Sequence, residues 1–172
     1  MIARILSRMD NTLQRLFRYQ AWANDELLTA LAKLGGESPI TKLAIKALSH
    51  TYVVDRIFAA HLRGEPHGFK ASNTEATPTL GELGASVEQV DGWYVDYVRG
   101  LRPEQFEEVL SFRFTDGDAG RMSREEILAH VIHHSSHHRG NVGMLLKQID
   151  QAPPRDLFTR HLHQSEPARR SV

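Results

Sequence analysis

Four stretches of this chain repeat their apolar residues at the period of an α-helix, and glycine or proline stops each of them. The first runs from Asp10 to Leu34, with Leu13, Leu16, Phe17, Leu27, Leu28, Leu31 and Leu34 at helical spacing. Asp10 is its expected N-cap and Gly35-Gly36 its stop. The second spans about Thr41 to Arg63, with Pro39 just before it and Gly64 just after. The third covers roughly Leu80 to Leu101 and carries Leu83, Val87, Val90, Tyr94, Tyr97 and Val98. Gly81, Gly84 and Gly92 weaken it, at about 1 kcal/mol each against alanine, and Pro103 ends it. The fourth begins at Ser123, whose spacing to Glu126 is that of a capping box, and continues to about Ile149. Pro153-Pro154 closes it.

The pieces between these helices are short, with one exception. Val109–Phe114 alternates and Asp116-Gly117-Asp118 follows, which predicts a short extended segment or irregular hairpin before the fourth helix. A helical turn is expected near Asp156–Leu162, then a polar tail over 163–172. The exception is the Gly-, Ser-, Asn-, Thr- and Pro-rich loop between Gly64 and Thr79. It is long for a helical hairpin and suggests a crossover connection. With no βαβ rhythm and no internal repeat, the reading is an all-α four-helix bundle. It forms one domain over 1–172, with a core of about 10–162.

Lysine plus arginine number 21 and aspartate plus glutamate 21, so the chain has no basic excess with which to attract nucleic acid. No apolar run approaches the roughly 20 residues of a membrane span. The start, Met1-Ile2-Ala3-Arg4-Ile5-Leu6, lacks a secretory cleavage site, and Met9 is a candidate initiator, so a cytoplasmic location is expected. The chain has no cysteine. Any metal must therefore sit on nitrogen and oxygen ligands, and thiol chemistry would need a thiol supplied as substrate.

Five histidines crowd into His130-Val-Ile-His133-His134-Ser-Ser-His137-His138, in mid-helix rather than at a terminus. At ~100° per residue, with His130 at zero, His134 falls near +40° and His138 near +80°. His137 and His133 fall near −20° and −60°, while the apolar residues of the helix centre near +120°. His134 and His138 thus edge the core, His133 and His137 lean toward solvent, and His130 lies between. The inward pair is spaced i,i+4, at which two imidazoles on one helix reach one metal ion. A third ligand should come from a neighbouring helix. His50 is the best candidate, since it shares a face with Leu43, Ala47, Val54 and Ile57. His61 shares that face but lies three turns further along. A lone histidine on an apolar face is more often a satisfied core residue; here the argument rests on the combination.

The segment His134-Ser-Ser-His-His138-Arg139-Gly140-Asn141 resembles the H-x-x-x-H-R-G-Q ending of the last helix in the DinB/YfiT-like family. Tyr19-Gln20-Ala21-Trp22-Ala23-Asn24 is similar to that family's first-helix pattern, and Leu48-Ser49-His50 with Asp55 and Phe58 to its second. The resemblance implies a four-helix bundle holding one divalent metal on His50, His134 and His138, and a homodimer. Asn141 stands where the family has Gln, and His133 and His137 are additional; these two either bind metal adventitiously at the surface or do nothing. Arg139 either anchors an anionic substrate or pairs with a carboxylate inside the bundle. Gly140 implies close approach of another helix or a ligand.

A metal with three imidazoles and an open position lowers the pKa of bound water or polarises a substrate. The resemblance implies either a hydrolase or a thiol-dependent S-transferase or isomerase, with a small molecule such as a low-molecular-weight thiol as substrate. The metal would be zinc or nickel first, then manganese or iron. No catalytic residue is assigned; Asp25, Asp55 and Tyr19 are candidates for a general base. The alternatives are a non-catalytic, stress-related metal-binding bundle and a helical dimerisation module. A hemerythrin-like di-iron centre is disfavoured, because the last helix has no Glu-x-x-His motif.

Overall fold

Each long helix begins where the sequence supplies a side-chain acceptor for its free amides. α1 (Thr12–Ala32) is capped by Asn11, which accepts from the Gln14 amide while Gln14 accepts from the Asn11 amide, both at 2.9 Å. The cap falls one residue after Asp10 because only Asn11 has a glutamine three residues on; Asp10 instead pairs with Arg18. α2 (Pro39–Arg63) starts two residues earlier than expected: Ser38 caps it and Pro39 occupies the first turn, where its missing N–H costs nothing. It ends at Gly64, whose φ of 69° is left-handed. α3 (Leu80–Gly100) and α4 (Arg124–Lys147) open on the capping boxes Thr79/Glu82 and Ser123/Glu126. Between them lie a 3-10 turn at Pro103–Glu107 and an antiparallel hairpin, β1 (Val109–Arg113) with β2 (Ala119–Ser123). α5 (Phe158–Ser165) follows, later and longer than the expected turn, and a 3-10 turn at Pro167–Arg170 occupies part of the expected polar tail.

The computed structural model describes residues 10–34 and 38–170. The N-terminal hexapeptide, Met9 and the Gly35-Gly36 stop lie outside the described residues. Among those described, no helix is long and apolar enough to cross a membrane.

Paired residues give the direction of each helix. Phe17 stacks on Tyr94 and Asn24 bonds Asp91, so α1 and α3 run antiparallel. Phe58 meets His130 and His50 meets His134, so α2 and α4 do too. α2 and α3 run parallel, because Tyr94 reaches Asp55 and Tyr97 reaches Leu62. Two parallel neighbours need a connection that returns along the bundle, and the 64–79 loop makes that return. About 15 residues can stretch roughly 50 Å, ample for the roughly 30 Å of a 21-residue helix.

The core is split. One apolar cluster includes Phe17, Phe58, Tyr94, Val98, Phe106, Leu128 and Val131. The other includes Leu27, Leu31, Ala44, Leu48, Leu83, Val142 and Leu146. Between them runs a layer of buried polar side chains: Gln20, Asn24, Asp55, Asp91, Ser135 and Arg139. Two expectations fail here. Leu43 is 53% exposed, because the His50 face is the rim of α2's buried stripe rather than its centre, which Ala44, Ile45 and Leu48 occupy. Gly140 has no close neighbour: a Cβ there would meet nothing within 4 Å, whereas at Gly143 it would touch Pro153.

Candidate metal centre

α4 turns His134 and His138 toward α2 on successive turns, and α2 presents His50 between them. The three rings pack together, with centroids 5.1 Å apart for His50–His134, 4.8 Å for His50–His138 and 4.5 Å for His134–His138. One nitrogen from each lies within 4.8 Å of the other two, and all three residues are half-buried. The same wheel puts His133 and His137 on the exposed side, as their spacing predicts. His130 is half-buried against Phe58 and His134. His61 stays apart, stacked on Phe112 of the hairpin and edge-on to His67.

The protons of this cluster can be assigned from one contact. His50 Nδ1 lies 2.9 Å from the carbonyl oxygen of Ser72. A carbonyl only accepts, so Nδ1 carries the hydrogen and Nε2 presents its lone pair. His50 Nε2 stands 3.2 Å from His134 Nε2. In the metal-free cluster His134 therefore donates from Nε2, which leaves its buried Nδ1 with no partner. Burial, and then the facing rings of His138 and His50, push the His134 pKa down to about 3. Burial, then His50, lowers that of His138. A transition metal requires neutral imidazoles, and His134 would offer it Nε2 once its hydrogen moved to Nδ1.

The distances fit such an ion. Two nitrogens about 2.0–2.1 Å from a tetrahedral zinc stand roughly 3.3–3.4 Å apart. The 3.2 Å between the two Nε2 atoms is close to that spacing. The Ser72 carbonyl holds His50 in one tautomer, as the outer hydrogen bond of a ligating histidine would. Among the described residues no carboxylate belongs to the group.

The other candidates of the sequence lie elsewhere. Arg139 is 3% exposed and bonds Asp156 (Nε, 2.8 Å), Ser135 (2.8 Å) and Asn24 (3.2 Å), which answers its two readings with the carboxylate pair inside the bundle. Tyr19 hydrogen-bonds Asp156, and burial with that carboxylate raises its pKa to about 12, unsuited to a base. Asp55 is buried, its carboxyl pushed well above the usual range by burial and then by Asp91. Asp25 is exposed on α1. Asn141 is exposed and bonds His137 at 3.2 Å, away from the triad. Ser72 was invisible to periodicity, because it acts through its backbone from an irregular loop.

The DinB family matches residues 9–169 of the sequence, nearly its whole length. The chain belongs to the DinB family. It is also similar to "Protein DinB" of Bacillus subtilis (strain 168), at 22% identity over 150 residues, covering 80% of this chain and 86% of that relative. Membership fits the helical bundle, and the three-histidine group is compatible with a metal-binding protein of this family.

Proposed function

We propose that this DinB-family protein binds one divalent transition metal through His50, His134 and His138 and uses the open coordination position on a small molecule. The observation that carries the reading is the 3.2 Å approach of His50 Nε2 and His134 Nε2, with the His50 tautomer fixed by Ser72. Zinc and nickel suit three imidazoles best, and manganese and iron are the weaker candidates.

Three neutral ligands leave the full double charge of the ion uncompensated, which favours an anion in the fourth position. When bound, the metal would supply Lewis acidity, enough to ionise a water or a thiol held there. The protein's share is to hold three neutral rings on two helices and to fix one of them from the returning loop. Among the described residues no carboxylate joins the triad to take a proton from a metal-bound water. A thiol needs less help, since its own pKa is about 8.5. We therefore favour a low-molecular-weight thiol over water as the activated ligand, and transferase or isomerase chemistry over hydrolysis. The cytoplasm, where such thiols stay reduced, is the location that fits.

The test is elemental analysis of untagged protein, wild type beside His50→Ala. About one metal per chain, lost in the variant, supports the site. Cobalt-substituted protein titrated with a small thiol should then develop a thiolate-to-metal charge-transfer band. Metal held by His50→Ala at the wild-type level after dialysis, which removes weakly bound ions, would refute the ligand set; a metal site without the band would refute the thiol.

A further inference from the structure

We propose that α4 carries a second transition-metal site on its solvent face, built from His133 and His137 with Asn141 beside them. The inference does not rest on the buried triad, because none of its residues belongs to that group.

The three residues follow one another at i, i+4 and i+8, forming a single column up the helix, one turn apart. Both histidines are exposed, so their rings can turn toward one another without disturbing the core. Asn141 Nδ2 already lies 3.2 Å from His137 Nε2, so the far end of the column meets at the ring nitrogen. With its amide turned over, Asn141 would offer Oδ1 at the same point as an oxygen ligand. Side chains at i and i+4 on a helix have Cβ atoms about 5–6 Å apart, which lets two imidazoles share one ion.

The surroundings suit a cation. From Ile127 to Leu146 the sequence contains one Asp, Glu, Lys or Arg, and that is Arg139. It is buried and paired with Asp156, so this stretch turns no permanent charge toward solvent. No lysine or arginine of that stretch repels an incoming ion, and no carboxylate of it diverts one. Helix propensity does not explain the choice either. The exposed positions His133, Ser136, His137, Gly140 and Asn141 are all poorer helix formers than the lysine or glutamate usual on such a face. Two imidazoles and an amide leave positions for water, so the site should follow the usual order for nitrogen ligands, copper above nickel above cobalt. It should bind more weakly than three converging histidines. His137 and His138 have ring centroids 5.2 Å apart, so an ion on one set will weaken binding to the other by charge repulsion.

The experiment is calorimetric titration of Ni2+ into the metal-free full chain. Wild type should show a tight event and a weaker one. H133A/H137A, altered only at exposed positions, should keep the tight event and lose the weak one. His50→Ala should do the reverse. His133→Ala alone should weaken the second event by at least about tenfold while the circular dichroism spectrum stays unchanged. A single event in wild type that H133A/H137A retains, or two events in H133A/H137A, overturns the proposal. A weak event that H133A/H137A removes, in a protein with no tight event, supports this site and refutes the buried one.

Discussion

Arg139 and Asp156 form an ion pair at 2.8 Å in which the arginine side chain is 2% exposed and the aspartate 27%. The pair ties the segment after α4 back onto the middle of the bundle, and Tyr19 bonds the second oxygen of the same carboxylate. Arg139 also reaches Ser135 and Asn24, so one side chain joins α1, α4 and the turn that leads to α5. Removing it would strand an acid and two amide or hydroxyl groups. We expect Arg139→Met to lower unfolding stability by about 3–5 kcal/mol, read from urea denaturation, with Arg139→Lys between it and wild type. A loss under about 1 kcal/mol would mean that water replaces the guanidinium and that the pair matters little.

Asp91 gives the polar layer a pH dependence of definite sign. Burial raises its pKa to about 6 against the donated hydrogen bonds of Asn24 and Gln20, which lower it. Below its ordinary value of 3.8 the group is protonated in both folded and unfolded chains, and its contribution is fully present. As pH rises from there through about 6, the unfolded chain ionises first and that stability is lost. Asp91→Asn cannot ionise; its Oδ1 still accepts from Asn24, and its new N–H can donate to the Oε1 of Gln20 once that amide turns over. Thermal unfolding of metal-free protein from pH 4 to 7 should show the variant gaining on wild type as pH rises. Parallel profiles would show that Asp91 is ionised in the fold throughout. Asp55 should respond too, since Asp91 is the second cause of its own raised pKa.

At Gly120 a Cβ would lie 3.0 Å or less from three ring carbons of Phe112, its partner across the hairpin. The ring cannot simply swing away, because it also packs against Phe58, His61 and Phe114. Gly120→Ala should therefore cost about 1–3 kcal/mol, the usual cost of overpacking, and should disturb the His61 environment. Gly140→Ala is the control, having nothing within 4 Å of its Cβ, and should stabilise by up to about 1 kcal/mol. Denaturation midpoints of the two variants should move in opposite directions.

What could be read from the sequence was local. Capping boxes, the Pro39 start and the Gly64 stop act within a few residues, so four helices and the hairpin were legible. The inward His134/His138 pair followed from helical phase, because both belong to one helix. His50 was found through its face, yet the same reasoning misplaced Leu43. A seven-residue step turns the helix by only about 20°, so a half-buried rim reads like a buried stripe. The polar layer was hidden because its partners come from different helices: Asn24 looks like any first-helix asparagine until Asp91 and Arg139 arrive beside it. Ser72 was hidden more completely, since its backbone carbonyl does the work and any residue supplies one.

The proton arithmetic of His134 supplies the last test. Its folded pKa of about 3 lies below the ordinary 6.5, so the metal-free fold binds fewer protons there than the unfolded chain does. The stability linked to this ring is present above pH 6.5 and is lost as pH falls toward 3. The Asp91 contribution runs the other way between pH 3.8 and about 6, so over that range the two largely cancel and metal-free stability should change little, falling only in stronger acid. In the metal-free protein the His134 ring resonance should not move between pH 8 and 5, followed by NMR. A midpoint near 6.5 would show that the cluster opens to water when no ion holds it. A flat response would mean that the fold keeps the ring neutral under mildly acidic conditions.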